Sequence, residues 1–508
     1  MIRDARQRVG VQALACDRAP CAACIFIWLL FFSLPNLVLA DESKSSPPNV
    51  LLFFIDDLGY GDLGCYGSTF YETPRIDKLA DASVRFTNFY SASPVCSPTR
   101  AALMTGQAPQ RVGITQWLPQ PHENHLPLEQ ETIGEAFSQA GYRTGYIGKW
   151  HLGHLAEHAP DKQGFDWTRC VNRAGQPASY FYPFAGRKRE GVGYWDVPDL
   201  DAAQPGDYLT DKLTDHAIEF LQMAEDNRPF FLCFAHYAVH TPIQSPKPLV
   251  RKYRTKRTDK FGDKETPVAK ESGAQSRLRQ DAPAYAAMVE NLDTNVGRVL
   301  DHLEQSGQRE NTIIVFTSDN GGLSTLPGDR VGPTCVRPLR AGKGWTYEGG
   351  IRVPLLISLP KSIEASSTRT CETPSITMDL YPTLLELCGL PLRPNQHKDG
   401  VSMATTMRSR ESGESTVSRT MAWHYPHKHG SGHTPSSAIR DGKWKLVHRH
   451  AWKGSSESFE LYDLESDIGE TKNLAPANAE KAALLRSRLA EWLQSTGSTK
   501  KDRQVSGS

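Results

Sequence analysis

Short apolar runs that alternate with helical patterns constrain the fold of this chain most strongly. Residues 50–55 read Val-Leu-Leu-Phe-Phe-Ile without a polar side chain, and such a run is typical of a strand buried on both faces of a sheet. Four similar runs span residues 144–147, 230–235, 312–317 and 353–359. Helical patterns lie between them, among them residues 132–139 and the amphipathic stretch 284–305. The alternation predicts an α/β fold in which helices cover a mostly parallel, mixed sheet.

The pattern changes towards the C-terminus. Residues 408–419 have the composition of a linker, and beyond them an Asp441-Gly442 pair lies between two strand-like runs, which predicts a β-hairpin. A further strand is predicted at residues 459–464 and an amphipathic helix at residues 478–493. The predicted organisation is a large domain over residues 48–415, a small α+β domain with an antiparallel sheet and one helix over residues 421–496, and a polar tail over residues 497–508. The charged stretch 254–280 is expected to be a long surface loop or an insertion.

The N-terminus has the features of an export signal. Four arginines precede an apolar run over residues 25–40, which Pro35 interrupts and which ends in Val38-Leu39-Ala40. This order is typical of a secretory signal peptide, here residues 1–40, and the run is short for a membrane span. We therefore expect export to the periplasm or the extracellular space, or to the lysosome in a eukaryotic cell. An uncleaved anchor is the alternative.

Charge and cysteine content exclude several other classes. The chain has 508 residues and a net charge of +1, so it has no overall positive field for binding nucleic acid. Removal of the signal peptide leaves seven of the ten cysteines, at wide spacings that fit neither a small disulfide framework nor a zinc knuckle: Cys65, Cys96, Cys170, Cys233, Cys335, Cys371 and Cys388.

Polar residues follow the ends of the predicted strands. Asp56-Asp57 follow the first run, Lys149 and His151 the second, His236 and His240 the third, and Asp319-Asn320 the fourth. In open α/β sheets ligands bind beyond the carboxyl ends of the strands, so these groups are expected to meet in one cleft. Carboxylate and amide oxygens are suited to Ca²⁺ or Mg²⁺. The alternative is that Asp56-Asp57 caps a helix and Asp319-Asn320 forms a turn.

Cys96 precedes a predicted helix. Pro98 fits the first turn of that helix and Ser97 its cap. Cys96 is then expected at the helix N-terminus, where backbone N–H groups favour an anion, with Arg100 one turn further on. The alternative is a buried structural thiol.

Six sequence blocks together resemble the formylglycine-dependent sulfatases of the arylsulfatase type. Cys96-x-Pro98-x-Arg100 followed by Thr105-Gly106 resembles their signature, in which the cysteine is oxidised to formylglycine. The other five blocks occur in the family's order, and the resemblance covers roughly residues 48 to 475: residues 56–62, 141–153, 240–242, 318–322 and 342–354. It implies an alkaline-phosphatase-like fold for the large domain.

The resemblance also implies a role for each matching residue. Asp56, Asp57, Asp319 and Asn320 match the ligands of Ca²⁺, or of Mg²⁺ in some relatives, and the modified Cys96 completes that metal set. Arg100 matches the group that holds the hydrated formylglycine ionised, and Lys149 and Lys343 match the sulfate-binding lysines. His240 matches the group that hydrogen-bonds the ester oxygen and His151 the one that helps to expel sulfate.

The implied reaction is the hydrolysis of sulfate monoesters. A gem-diol on formylglycine attacks sulfur, and a sulfated enzyme intermediate is then broken down. Expected substrates are sulfated sugars or polysaccharides, with aryl sulfates as artificial ones. The expected partners are this substrate and a formylglycine-generating enzyme during maturation, with no nucleic acid and no stable membrane span.

Two alternatives stay open at this point. One is a phosphate or phosphonate monoester hydrolase of the same fold, and the other is a catalytically inactive glycan-binding protein in which Cys96 remains a thiol. His424 or His427 is a further candidate for contact with the substrate. A transition-metal site in the histidine-rich stretch 424–433 is another hypothesis, although the glycines there predict a flexible loop with no defined ligand geometry.

Overall fold

Strands and helices alternate along the chain as the sequence predicts. A computed structural model describes residues 46–119, 123–186, 195–223, 228–363, 369–408 and 419–498. The predicted signal peptide, the C-terminal tail from residue 499 and most of the predicted linker, residues 409–418, lie outside the described residues.

The strands of the described chain, in order, are β1 Asn49–Ile55, β2 Val84–Phe86, β3 Phe89–Tyr90, β4 Arg143–Gly148, β5 Trp167–Arg169, β6 Phe230–Ala235, β7 Val268–Glu271, β8 Ala274–Arg277, β9 Thr312–Ser318, β10 Thr325–Pro327, β11 Leu355–Ser358, β12 Thr370–Cys371, β13 Ser375–Ile376, β14 Thr420–Tyr425, β15 Ser436–Asp441, β16 Trp444–Arg449 and β17 Ser458–Asp463. The helices are α1 Pro74–Asp81, α2 Cys96–Thr105, α3 Pro109–Val112, α4 Ile133–Gln139, α5 Leu209–Gln222, α6 Lys247–Phe261, α7 Pro283–Gln305, α8 Glu348–Ile351, α9 Leu380–Leu387, α10 Ala404–Arg408 and α11 Ala479–Ser495.

A mixed, mostly parallel sheet forms the centre of the large domain. Its strand order is β12-β2-β11-β9-β1-β6-β4-β5. The strands β9, β1, β6, β4 and β5 run parallel to one another, whereas β11 is antiparallel to both β9 and β2. The α/β prediction is therefore confirmed, and the five predicted apolar runs all contain strands of this sheet.

Helices bury both faces of the sheet, as the apolar run of β1 requires. Leu51, Phe53 and Ile55 contribute to a core that also contains residues of α5 and α7. Val50, Leu52 and Phe54 point the other way, into a core with residues of α2, α4 and α9. The alternation of side chains along a strand divides one continuous apolar run between the two cores.

The C-terminal region is an antiparallel sheet with one helix. The strands β14, β15, β16 and β17 are neighbours in sequence order, and α11 packs on one face through Leu485, Leu489 and Leu493. Asp441 pairs with Trp444, and Gly442 between them has a positive φ of 59°, which matches the predicted Asp-Gly hairpin.

Two local predictions were wrong. Residues 254–280 are not a long loop, because they include most of α6 and the β7–β8 hairpin. Tyr253 is the buried residue of α6, so this charged helix lacks the apolar stripe that reveals most helices. Ser97 is not the cap of α2, because the helix begins at Cys96 with Val95 as its N-cap.

None of the seven cysteines beyond the predicted signal peptide, all of them described, forms a disulfide bond. Within the described residues, no helix combines the length and apolar character needed to cross a membrane.

Candidate active site

The two acidic pairs meet because their strands are neighbours in register. Ile55 at the end of β1 pairs with Ser318 at the end of β9, so Asp56-Asp57 and Asp319-Asn320 leave the sheet side by side. The backbone N–H of Asp57 donates to Oδ1 of Asp319 over 3.2 Å, and Nδ2 of Asn320 donates to Oδ1 of Asp57 over 2.8 Å.

The strands on the other side of β1 supply positive charge. Gly148 at the end of β4 pairs with Ala235 of β6, and Ala235 pairs with Phe54 of β1. Lys149, the next residue after β4, therefore reaches the acids, with Nζ 2.7 Å from Oδ2 of Asp56. Both side chains are fully buried, so their pairing offsets part of the cost of burying each charge.

Arg100 connects the helix of Cys96 to the same acids. It lies one turn into α2, and its Nε and Nη2 donate to Oδ2 of Asp319 over 3.0 and 2.7 Å. Its Nη1 donates to the carbonyl oxygen of Lys149 over 2.7 Å. The nearby carboxylates raise the pKa of Arg100 although burial alone would lower it. The planar guanidinium thus fixes α2 against the ends of two strands.

His151 faces the Cys96 thiol. Its Nε2 lies 2.8 Å from the carbonyl oxygen of Leu118, which can only accept, so Nε2 carries the proton and the lone pair of Nδ1 points to the Cys96 Sγ 3.2 Å away. Burial and the charge of Lys149 lower the pKa of His151 well below its usual value. The ring is therefore a neutral acceptor beside residue 96.

Asp57 lies between Lys343 and His240. Nζ of Lys343 is 2.7 Å from Oδ1 of Asp57, and Nε2 of His240 is 3.7 Å from Oδ2. Burial alone would raise the pKa of Asp57, but the charge of Lys343 helps to lower it. For His240 the two effects act together, since burial and the charge of Lys343 lower its pKa to about 3. Nδ1 of His240 lies 2.9 Å from the carbonyl oxygen and 3.2 Å from the hydroxyl of Thr241. Thr241 can therefore support either tautomer of His240, because its carbonyl oxygen accepts from a protonated Nδ1 and its hydroxyl donates to an unprotonated one.

Two buried oxygens in this cluster point to a cation. Oδ1 of Asp56 and Oδ1 of Asn320 have no hydrogen-bond partner among the described residues. Ligand atoms of Asp56, Asp57 and His240 lie within 4.8 Å of one another. Burial, with Asp319 and Asp57 adding to it, raises the pKa of Asp56 well above its usual value, and a bound cation would favour its ionised form. These groups form a candidate metal site.

Asp319 is placed differently from the other acids of the predicted metal set. Its Oδ2 accepts from Arg100 and its Oδ1 from the amide of Asp57, and the close trio of potential ligands contains His240 in its place. The histidines of residues 424–433 belong to no such cluster among the described residues, so the structure gives no support to a transition-metal site there.

A cavity of about 430 Å³ opens onto the cluster. Five of the ten predicted site residues line it: Asp57, Cys96, His151, His240 and Lys343. The other five, Asp56, Arg100, Lys149, Asp319 and Asn320, lie behind them and are at most 1% exposed. The structure therefore brings all ten predicted residues to one place.

Loops add groups that the sequence did not single out. Trp117, Gln176, Trp195 and His429 also line the cavity. Trp117, Gln176 and Trp195 lie in segments without a recognisable motif, and only spatial proximity identifies them, whereas His429 belongs to the histidine-rich stretch 424–433.

His429 takes the position that was expected for His424 or His427. Among the described residues, neither of those two lines the cavity. His424 is hydrogen-bonded to Ser437 and His427 to Thr115. His429 approaches Gly344 so closely that a Cβ on this glycine would lie 2.2 Å from its Nδ1.

His236 follows β6 as His240 does, but it is not among the described residues that line the cavity. Its side chain is fully buried, and its ring lies 3.9 Å from that of Phe234 between ring centroids. Neither ring nitrogen has a hydrogen-bond partner among the described residues, and burial lowers its pKa to about 3.

Comparison with known families identifies the large domain. The family model described as "Sulfatase" matches residues 48–390, more than half of the chain. The chain belongs to the sulfatase family. A second model, "N-sulphoglucosamine sulphohydrolase, C-terminal", matches residues 341–497 of this sulfatase. Membership confirms the resemblance, and the sulfatase is a sulfuric ester hydrolase.

Curated relatives are similar in sequence to most of the sulfatase. A "Sulfatase" of Formosa agariphila is 31% identical, with 89% of this chain and 90% of that protein covered. Human arylsulfatase A is 32% identical with 87% and 86% covered, and human N-acetylgalactosamine-6-sulfatase is 33% identical with 71% and 66% covered.

A solved structure, Ps i-CgsB in complex with k-i-k-neocarrahexaose, is 30% identical to the sulfatase with a TM-score of 0.70. The match covers 88% of this chain and 93% of that one.

Proposed function

We propose that this sulfatase hydrolyses sulfate esters of sugars or polysaccharides, using a formylglycine made from Cys96. The observation that carries the proposal is the position of Cys96, at the first residue of α2, 3.2 Å from Nδ1 of His151 and on the wall of the cavity. Human N-acetylgalactosamine-6-sulfatase and the complex of a relative with neocarrahexaose support a sugar substrate.

The charges around the cavity suit a sulfate ester. Asp56, Asp57 and Asp319 are balanced by the three cations within 4.0 Å of them, Arg100, Lys149 and Lys343. Binding of a divalent cation by the acids makes the cluster net positive, and its burial keeps solvent from screening that charge. A monoanionic sulfate ester is then attracted to the end of the cavity where Cys96 lies.

We assign the cation site to Asp56, Asp57, Asp319 and Asn320, with residue 96 completing it. The unpartnered oxygens of Asp56 and Asn320 support this assignment. The preponderance of oxygen donors favours Ca²⁺, or Mg²⁺, over zinc. A cation held by these residues would supply Lewis-acid polarisation of the sulfate ester.

Each side chain that faces the cavity then has one task. When Cys96 is converted to formylglycine, its hydrated aldehyde supplies a hydroxyl nucleophile. His151 accepts a proton at Nδ1 from the hydroxyl group of residue 96. Lys343, with Lys149 behind it, stabilises negative charge on the sulfate oxygens. His240 donates from Nε2 to the leaving alcohol oxygen, and the Thr241 hydroxyl supports the tautomer that this requires.

We also propose export and maturation by a formylglycine-generating enzyme. The basic and apolar N-terminal residues 1–40 support export. The test is N-terminal sequencing of protein from the culture medium and from cell fractions. A mature chain that begins near Asp41 is expected, and full-length protein confined to the cytoplasm would contradict export.

The activity is tested on protein co-produced with a formylglycine-generating enzyme. Peptide mass at residue 96 establishes the aldehyde, and hydrolysis of 4-nitrophenyl sulfate is compared with that of 4-nitrophenyl phosphate in the presence of Ca²⁺. We expect turnover of the sulfate to exceed that of the phosphate and to be lost in Cys96→Ala. A preference for phosphate would instead place the protein among the phosphorus monoester hydrolases.

A second assay uses sulfated oligosaccharides from carrageenan and chondroitin, with released sulfate measured by ion chromatography. Release from at least one of them is expected. An aldehyde-bearing protein that binds these sugars but releases no sulfate would be the glycan-binding alternative.

A further inference from the structure

Two tryptophans expose their side chains at the cavity. Of the ten tryptophans in the sequence, Trp28 lies outside the described residues, and of the other nine only Trp117 and Trp195 are exposed, by 37% and 42%. Both line the cavity that contains Cys96 and Lys343. Exposure of so large an apolar surface is unfavourable in water, and its concentration at one cavity marks a binding surface.

The backbone that carries Trp117 is fixed close to Cys96 by the next residue, Leu118. The amide of Leu118 donates to Oγ of Ser97 over 3.1 Å, and the carbonyl oxygen of Leu118 accepts from His151. Ser97 follows Cys96 in α2. A ligand that contacts Trp117 therefore lies beside residue 96.

The backbone of Trp195 is fixed on another wall of the cavity. Its carbonyl oxygen accepts from the amide of Ala178 over 2.9 Å and from Nδ2 of Asn172 over 3.2 Å. A tryptophan side chain loses little conformational entropy when it binds a ligand, and a fixed backbone reduces this entropic cost further.

We infer that Trp117 and Trp195 bind the sugar rings of the substrate and thereby select carbohydrate sulfates over other sulfate esters. This inference rests on the proposed function. The C–H groups on one face of a pyranose ring carry partial positive charge and pack on the negative face of an indole. Gln176, His429 and Ser431 line the same cavity and can form hydrogen bonds with the hydroxyl groups of the sugar. A purely aromatic ligand has no use for these polar groups.

Binding is measured in a Cys96→Ala background, which needs no maturation and cannot turn over. Isothermal titration calorimetry uses neocarrahexaose sulfate, a chondroitin disaccharide 6-sulfate, the desulfated form of each, and 4-nitrophenyl sulfate. Trp117→Ala and Trp195→Ala are compared with Trp452→Ala, since Trp452 lies in the C-terminal region away from the cavity lining. Circular dichroism and the melting temperature establish that each variant is folded.

At least one sugar is expected to bind to the Cys96→Ala parent. Loss of either cavity tryptophan should raise the dissociation constant about tenfold, whereas that of the Trp452→Ala control should stay within twofold of the parent. The affinity for the desulfated sugar should fall by the same factor in these variants, because the indoles contact the sugar ring and not the sulfate. The inference is overturned if no sugar binds, if both tryptophan variants bind within twofold of their parent, or if only 4-nitrophenyl sulfate binding depends on the tryptophans. These results are independent of the hydrolysis assay, which alone decides the proposed function.

A second readout uses the matured enzyme. Trp117→Ala and Trp195→Ala should raise KM for the sulfated oligosaccharide about tenfold and change kcat by less than about threefold, since the indoles lie outside the reacting groups. A loss confined to kcat would assign these residues to the chemical step and contradict the inference.

Discussion

Nζ of Lys343 lies 2.7 Å from Oδ1 of Asp57, although the two residues are far apart in the sequence. Lys343 belongs to a loop whose conformation depends on Gly344, with φ of +84°. The amide of Lys343 donates to the carbonyl oxygen of Gly322, two residues after Asn320. This loop therefore places a buried ammonium group between the acidic cluster and the cavity, where a sulfate ester would enter.

Lys343→Ala is expected to lower kcat for sulfate ester hydrolysis by about a hundredfold to a thousandfold, because a positioned charge at the transition state is removed. The measurement is steady-state kinetics with 4-nitrophenyl sulfate. Lys361→Ala is the control, since the Lys361 side chain is 80% exposed. Equal rates for wild type and Lys343→Ala would exclude the proposed role.

Arg100→Lys is expected to lower kcat/KM by at least about a hundredfold. A lysine cannot reproduce the contacts of the guanidinium with both Asp319 and the Lys149 carbonyl group. Arg143→Lys is a matched control, because Arg143 is also buried but lies at the start of β4, at the opposite end of the strand from Lys149. The proposed role of Arg100 in the site is contradicted if Arg100→Lys and Arg143→Lys lose activity to the same extent and each loss is matched by a loss of stability.

Calcium is expected to raise the melting temperature of the wild type and not that of Asp57→Asn. A ligand at a hundred times its dissociation constant stabilises the folded state by about 2.7 kcal/mol. Scanning calorimetry with Ca²⁺, with Mg²⁺ and with a chelator measures the shift without relying on activity. Asp301→Asn, whose side chain is 51% exposed in the wild type, should respond to calcium as the wild type does. The assignment fails if no divalent cation shifts the wild-type transition.

Glu470 is expected to make stability depend on pH. It is fully buried with Oε1 2.8 Å from Nζ of Lys445, and burial, together with the charge of Glu348, raises its pKa to about 7 despite the attraction of Lys445. The pKa is raised on folding, so the contribution of Glu470 to stability is fully present below its unfolded pKa of about 4.5 and is lost as the pH rises through about 7.

Glu470→Gln cannot ionise, so the stability of this variant relative to the wild type should rise between pH 4.5 and pH 8. The free energy of unfolding is measured by urea denaturation at several pH values. Glu465→Gln, whose side chain is 75% exposed in the wild type, should leave the pH dependence as it is. A relative stability of Glu470→Gln that falls with pH would show that Glu470 ionises more readily in the folded protein than in the unfolded chain.

The strands and most of the site groups were predictable because their signals are local. A run such as β1, apolar at every position, has few alternatives to a central strand. The helix α4 has a complete capping box, in which the Thr132 side chain accepts from the amide of Glu135 and the Glu135 side chain from the amide of Thr132. The Asp and Lys residues directly after strands were also visible, because parallel strands end at the same edge of a sheet.

Other features had no local signal. Tyr253 is the buried residue of α6, and from residue 254 to its end the helix carries Phe261 as its only large apolar side chain. This part of the sequence therefore lacks apolar periodicity and was interpreted as a loop or an insertion. The antiparallel direction of β11 depends on how the chain returns to the sheet, which the apolar run itself does not encode. His429 was missed in favour of His424 and His427, because the spacing of histidines in a loop does not determine which of them faces the cavity.

The sequence by itself determined the α/β architecture, the family and the chemical identity of the reacting groups, since these depend on periodicity and on motifs within short segments. Only the tertiary structure decided which side chains come into direct contact and which loop residues join them. Register between β1 and β9 joins the two acidic pairs, the turn after β4 brings Lys149 to Asp56, and separate loops bring Trp117, Trp195 and His429 to one cavity. These relationships depend on packing between segments far apart in the chain, and no local pattern of residues specifies them.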